Sequence, residues 1–173
     1  MRRAAHALVL DCRGAALVEF ALVVTPLMAL LVAIPVTSMV YFAQEGLETT
    51  SEAATRLLMT GTAQSAGYSA SQFKTAVCQQ LPPYMTCANL LVDVQSAGSF
   101  SAINTAAPTI TFDNQGHISN TFSYRPGNSG DVVIIRLMYL WNVPTAPLGF
   151  NVATLGNGQR LLIATSVAKT ELY

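Results

Sequence analysis

Residues 20–44 carry no charged side chain. The run passes from Phe20 through Leu22, Val23, Val24, Leu27, Leu30, Leu31, Val32, Ile34, Val36, Met39 and Val40 to Phe42. As a helix it would measure about 37 Å at ~1.5 Å per residue, enough to cross a bilayer core of about 30 Å with some tilt. A cleaved secretory signal has an apolar region of only about 7–15 residues, and no small-x-small cleavage site follows this one. The run therefore reads as a retained anchor rather than a buried core helix. Pro26 and Pro35 interrupt it, each removing a backbone donor and bending the helix, which neighbours in a membrane can offset.

Composition agrees. Of 173 residues only 10% are charged and 51% are hydrophobic, against about 25% charged in an average soluble domain. That excludes a disordered chain. Nine basic and nine acidic residues leave no net charge, and without a basic excess there is nothing to neutralise phosphates, so nucleic acid is not an expected partner. The length allows one domain plus an appendage. Arg2, Arg3 and Arg13 precede the anchor, and Glu45, Glu48 and Glu52 follow it. The three arginines place the N-terminus in the cytoplasm and everything beyond about residue 45 outside.

Glu19 lies one residue before the uncharged run, with Ala15, Ala16, Leu17 and Val18 on its other side. A carboxylate at membrane depth costs roughly 2–3 kcal/mol on insertion scales and usually has a function; hydration among headgroups is the plainer reading. Its surroundings are Arg13-Gly14-Ala15-Ala16-Leu17-Val18-Glu19-Phe20. A short basic leader ends in glycine, and a long apolar helix begins with glutamate as its fifth residue. This resembles the processing site of type IV prepilins. More closely, it resembles the TadE-like family of pilin-like proteins (TadE and TadF) in tight-adherence pilus systems. The resemblance implies that a prepilin peptidase cuts between Gly14 and Ala15 on the cytoplasmic side. Residues 1–14 would then be a leader, leaving Ala15 as the new N-terminus. Glycine lets the backbone take an extended, protease-accessible shape. Glu19, next to Phe20, can then meet an α-amino group of its own or a neighbouring chain in a low-dielectric setting and fix the axial register of packed helices.

The helix is expected to continue to about residue 62. Met39, Ala43, Leu47, Ala54, Leu57 and Leu58 keep a helical stripe, and Gly61 is the expected stop. Glu45, Glu48 and Glu52 read as a solvated face. Residues 62–70 read as a loop, and Ser69 or Ser71 as the cap of a short helix through Phe73 and Val77, ended by Pro82-Pro83. Beyond it the pattern turns β-like. Leu90–Val94 is a short apolar run, and Thr109–Phe112 and His117–Tyr124 flank the turn signal Asp113-Asn114-Gln115-Gly116 as a hairpin. Asp131–Trp141 is the strongest strand, residues 143–158 are a long loop, and Arg160–Tyr173 is a last strand. The expected fold is α+β and pilin-like. In it a long N-terminal transmembrane helix, residues 15–62, packs its outer half on a mainly antiparallel sheet of four or five strands within residues 63–173. The TadE-like resemblance recurs in Phe73-Lys74-x-x-Val77-Cys78, Cys87-x-x-Leu90, Gly130-Asp131-Val132-Val133 and Arg160 to Val167. The closing Thr170-Glu171-Leu172-Tyr173 departs from the family's usual Asn-Glu-Pro-Tyr.

Cys12 lies in the leader, and Cys78 and Cys87 lie in the outer part. In an oxidising periplasm the latter two are expected to pair, contributing roughly 2–3 kcal/mol in the chain-entropy model. Zinc would need about four ligands, and outside the leader only His117 is available, so no metal or cofactor is expected. There is no phosphate loop, Gly-x-Ser-x-Gly elbow or His-Glu-x-x-His motif, so no catalytic residue is assigned. Trp141, Tyr139, Phe122 and Tyr124 read as sheet packing.

The leading expectation is a non-enzymatic minor pilin-like (pseudopilin) subunit of a tight-adherence pilus, supporting surface adhesion. It would be single-pass in the bacterial inner membrane with a periplasmic C-terminal domain, or incorporated in the extracellular fibre. The family implies as partners a prepilin peptidase, other pilins, paralogous pilin-like subunits and an inner-membrane assembly platform. The alternative is a membrane-anchored periplasmic sensor or ligand-binding domain that never enters a filament; a periplasmic enzyme is the least favoured. Cleavage after Gly14 would divide the charge. Residues 1–14 carry a net +2 and the remainder, with six basic and eight acidic residues, a net −2. It would also remove Cys12 and leave an even pair.

Overall fold

The computed structural model describes residues 14–171 except 107, 116, 117 and 145. The leader before Gly14, Cys12 and its arginines, the turn residues Gly116 and His117, and the last two residues therefore lie outside the described part. The chain divides into two compact units. One holds residues up to Ser38 together with Pro144–Asn151, and the other holds Met39–Val143 and Val152 onward.

Helix α1 runs over Ala15–Met59, longer than the apolar run. In its first half Leu17, Val18, Phe20, Leu22, Leu30 and Ile34 are each more than 60% exposed. The helix is long and apolar enough to cross a membrane, with a best window of mean hydropathy 2.5, none of it buried. Its hydroxyls are answered from within. Thr25 donates to the Ala21 carbonyl, Thr37 to Ala33 and Ser38 to Ile34, each at 2.8 Å. Such back-bonding leaves no bare hydroxyl on an apolar surface. Pro26 and Pro35 lie inside the helix, so the carbonyls of Leu22 and Leu31 lack their usual donors.

From residue 40 the helix acquires a buried face. Val40, Ala43, Leu47, Thr50, Ser51, Ala54, Thr55 and Leu58 are all buried, at the three- and four-residue spacing of one helical stripe. Met39 was the expected start of that stripe but is 59% exposed; its neighbour Val40 takes the place. Glu45, Glu48 and Glu52 are exposed, as a solvated face requires. Arg56 occupies the last turn, where a cation favours the helix dipole. Gly61, at φ 70°, takes the left-handed conformation that ends the helix, and its N–H donates to the Leu58 carbonyl. The segment expected to be loop holds a single helical turn, α2, at Thr62–Ser65. Helix α3, Ala70–Cys78, opens on a full capping box in which the Ser69 side chain accepts from the Gln72 N–H and Gln72 reaches back to Ser69. Cys78 and Cys87 form a disulfide with Cα atoms 5.4 Å apart, tying the end of α3 to the entry of the sheet.

Three strands make one antiparallel sheet in the order β1-β2-β3: β1 Leu90–Ala97, β2 Val132–Asn142 and β3 Gln159–Lys169. This falls short of the expected four or five. Among the described residues the predicted hairpin over 109–124 reduces to one bridge, Phe112 with Ile118. Asn120 replaces the ladder there. Its side chain accepts from the Thr111 N–H at 2.6 Å and donates to the Thr109 carbonyl at 2.8 Å. Further on, residues 123–125 lie alongside β1, with Val94 N–H donating to Ser123 O and Arg125 N–H to Val94 O.

One sheet face, Leu90, Val94, Val133, Ile135, Leu137, Tyr139, Leu162 and Ala164, forms a core with the buried stripe of α1 and with Phe73 and Val77 of α3. Gln44 adds a bond from α1 to the Ile163 carbonyl at 3.0 Å. The opposite face of β2 is buried too: Val132, Ile134, Arg136 and Met138 are at most 3% exposed. Arg136 sits opposite Asp93 in register and bonds its carboxylate at 3.0 Å. Both members of the pair have further partners. Asp93 also accepts from Gln95 and from the Ser123 N–H, both at 2.8 Å, and Arg136 also donates to the Asn104 carbonyl. The connection from β1 to β2 is thereby fastened over this face. The buried Thr170 bonds Asn128 and Asp131, and the Glu171 N–H donates to the Met59 carbonyl, closing the C-terminal segment against the end of α1.

Removing one member of a buried pair leaves an uncompensated charge, at a cost of about 3–5 kcal/mol. Arg136→Met is expected to lose stability of that order in denaturant unfolding of the detergent-solubilised chain. Asp93→Leu combined with Arg136→Met should recover much of the loss. An Arg136→Met protein as stable as wild type would contradict the arrangement.

Candidate functional site: the N-terminal helix

Gly14 immediately precedes α1 and is exposed. No atom lies within 4 Å of where a Cβ would stand on it, so packing does not demand glycine there. Glu19 and Phe20 lie in the second turn of the helix, both exposed, Phe20 by 66%. Glu19 has no ion-pair or hydrogen-bond partner among the described residues. The expected site residues do not gather into one pocket. Gly14, Glu19 and Phe20 belong to the unit of the apolar half-helix, whereas Cys78 and Cys87 belong to the globular unit. Among the described residues no three His, Cys, Asp or Glu side chains converge as metal ligands would.

The outer half of α1 carries two features that spacing did not reveal. The first is a clasp at Gly46. A Cβ there would stand 2.7 Å from Pro82 Cγ and 2.7 Å from Tyr84 Oη. The missing side chain lets residues 82–84 press against the helix, and the Tyr84 hydroxyl donates to the Phe42 carbonyl at 3.0 Å. Tyr84 in turn meets Trp141 edge-on with ring centres 6.5 Å apart, and Trp141 stands 6.2 Å from Tyr139. The only sequence signal was a glycine in mid-helix, which ordinarily costs about 1 kcal/mol against alanine. The second feature is a groove of about 190 Å³ between α1 and β3, lined by Glu48, Ser51 and Glu52 on the helix and Ile163–Ser166 on the strand. The Ser51 hydroxyl is buried there without a partner. On α3, the Phe73 ring meets Tyr124 tilted by 36°, with ring centres 5.2 Å apart. The Tyr124 hydroxyl is also buried and unpaired, and burial, with a smaller contribution from Tyr68, pushes its pKa above the ordinary tyrosine value.

The geometry is thus a helix with two environments, headed by an exposed glycine and by a glutamate that has no partner among the described residues. Residues 14–56 match the family model of TadE-like protein. The match covers 43 of the 173 residues. It begins at Gly14 and ends within the last turn of α1, so it rests on this helix alone; the recurrences noted beyond Phe73 lie outside it. No curated protein and no solved structure matches the chain.

Gly46→Ala should force Pro82 and Tyr84 off the helix, at about 1–3 kcal/mol. Urea unfolding checks this, and an unchanged midpoint would show that the clasp yields without cost.

Proposed function

We propose that this TadE-like protein is a minor pilin-like subunit for assembly of a tight-adherence pilus, working by helix packing rather than by catalysis. The observation that carries the reading is the division of α1. Among the described residues those up to 38 are mostly apolar and none is buried, whereas residues 40–58 bury a stripe against the sheet. A helix so divided supplies its own anchor and its own domain. Its exposed half then needs lipid, or the equivalent halves of other subunits, around it.

In this reading α1 crosses the inner membrane once, with the arginines on the cytoplasmic side and the sheet domain in the periplasm. Prepilin peptidase cuts between Gly14 and Ala15. An exposed glycine free of packing duties suits a bond that must enter a protease in extended form. Cleavage creates an α-amino group four residues before Glu19, about one helical turn. Charge pairing there, within the chain or with a neighbouring subunit, offsets the desolvation of both groups and sets the axial register between helices. Other pilins, paralogous pilin-like subunits and the inner-membrane assembly platform are the partners this requires, and adhesion to surfaces is the process served.

Mass spectrometry of the membrane-purified protein is expected to find Ala15 as the first residue. Gly14→Val should retain the leader, and Glu19→Ala should be processed yet lower pilus output by tenfold or more, about 1.4 kcal/mol of lost coupling or beyond. An intact Met1 start would contradict the proposal and favour an anchored periplasmic domain that enters no filament. Normal assembly of Glu19→Ala would remove the register role.

A further inference from the structure

The connection between β2 and β3 is uncharged throughout: no Asp, Glu, Lys or Arg occurs between Arg136 and Arg160. At its centre a tight turn over Pro147–Gly149 is closed by the Phe150 N–H donating to the Pro147 carbonyl at 3.3 Å. Leu148 in that turn has φ 58° and is the one non-glycine residue with positive φ among those described. It is also 72% exposed, and Phe150 is 36% exposed. A leucine in the left-handed region is strained, and here the strain holds a large apolar side chain out of the protein rather than in its core. The turn has a second peculiarity. Pro144–Asn151 does not cluster with the strands it joins but with the residues of α1 up to Ser38, the apolar half of the helix.

We propose that this loop is a second membrane contact, with Leu148 and Phe150 entering the lipid interface alongside α1. The inference rests on the reading that α1 spans the bilayer and adds to it a surface outside the helix. Lipid is the occupant that the observations favour. The loop shares a unit with the exposed apolar half of the helix, and its own tip is apolar and exposed too. It has no charge to desolvate, and Pro144 and Pro147 each remove a backbone donor that would otherwise need a partner in an apolar medium. Aromatic and aliphatic side chains on a short insertion enter only about 5–10 Å, to the boundary of headgroups and acyl chains.

The test uses the full chain in vesicles of phosphatidylcholine and phosphatidylglycerol at high lipid excess. Trp141 is the only tryptophan, so Trp141→Phe clears the background and Phe150→Trp places an indole at the loop. Lipids brominated near the carbonyl should quench it about twofold more than lipids brominated near the terminal methyl, as shallow insertion requires. Adding Leu148→Asp should remove most of that quenching. Leu31→Trp in the same Trp141→Phe background reports on the helix and should be quenched more by the deep bromines. Quenching at 31 without quenching at 150 overturns the loop contact and leaves the anchor standing. Absence of quenching at both positions overturns the two together. Quenching at 150 that vanishes as protein is diluted in lipid assigns the loop to a second copy of the chain and also overturns the proposal.

Discussion

The burial of one stripe of α1, from Val40 to Leu58, is the interaction on which the rest of the structure depends. Without it the sheet would expose Val133, Ile135, Leu137 and Leu162 on a face too small to fold alone. With it, a single helix serves two media. Backbone hydrogen bonds within a helix are indifferent to solvent, so the same secondary structure continues from lipid-compatible surface to protein core. Only the side-chain pattern changes. Before residue 40 apolar residues point in every direction; after it they keep to one face and glutamates occupy another. The back-bonded hydroxyls of Thr25, Thr37 and Ser38 are the local adaptation of the first regime. The glycine clasp and the Tyr84 bond to the Phe42 carbonyl mark the beginning of the second.

A three-stranded sheet covered on one face by a helix still has a second face to dispose of. Here the long β1–β2 connection does so, fastened by the Asp93–Arg136 pair and its bonds to Gln95, Asn104 and Ser123. The pair is poor evidence of stability in itself, because desolvation offsets much of its attraction. It is better understood as fixing which segment lies over the face. The disulfide ties α3 to the entry of the sheet, and the Glu171 N–H bond to the Met59 carbonyl closes the C-terminal segment on the end of α1.

Much of this was legible in the sequence, for identifiable reasons. The anchor, the helix stop at Gly61, the Ser69 cap and strands β2 and β3 are written in local patterns: an uncharged run, a glycine, a capping box, an apolar series. The cysteine pair could be inferred once the compartment was inferred. What escaped depended on register or on non-local contact. Asp93 and Arg136 are far apart in the chain and become neighbours only when β1 and β2 are aligned. The 109–124 hairpin signal was real as a turn, but the Asn120 side chain took over bonds that a strand partner would have made. Gly46 carried no visible reason to be glycine until Pro82 and Tyr84 were placed beside it. Gly14, Ala15, Glu19 and Phe20 were singled out by motif, and the processing proposed at them would act on the chain after synthesis. The fold alone neither demands nor forbids it.

The central claim, one helix with an anchor half and a core half, is tested most directly by cysteine accessibility along α1. Single cysteines would be placed from residue 22 to 58 in a chain with Cys12→Ser, and exposed to a membrane-impermeant maleimide in cells with a permeabilised outer membrane. The account predicts no labelling from 22 to 38. It predicts strong labelling at the positions of Glu45, Glu48 and Glu52, and protection at those of Ala43, Leu47 and Ala54. Labelling at position 30, or uniform labelling beyond 40, would contradict it.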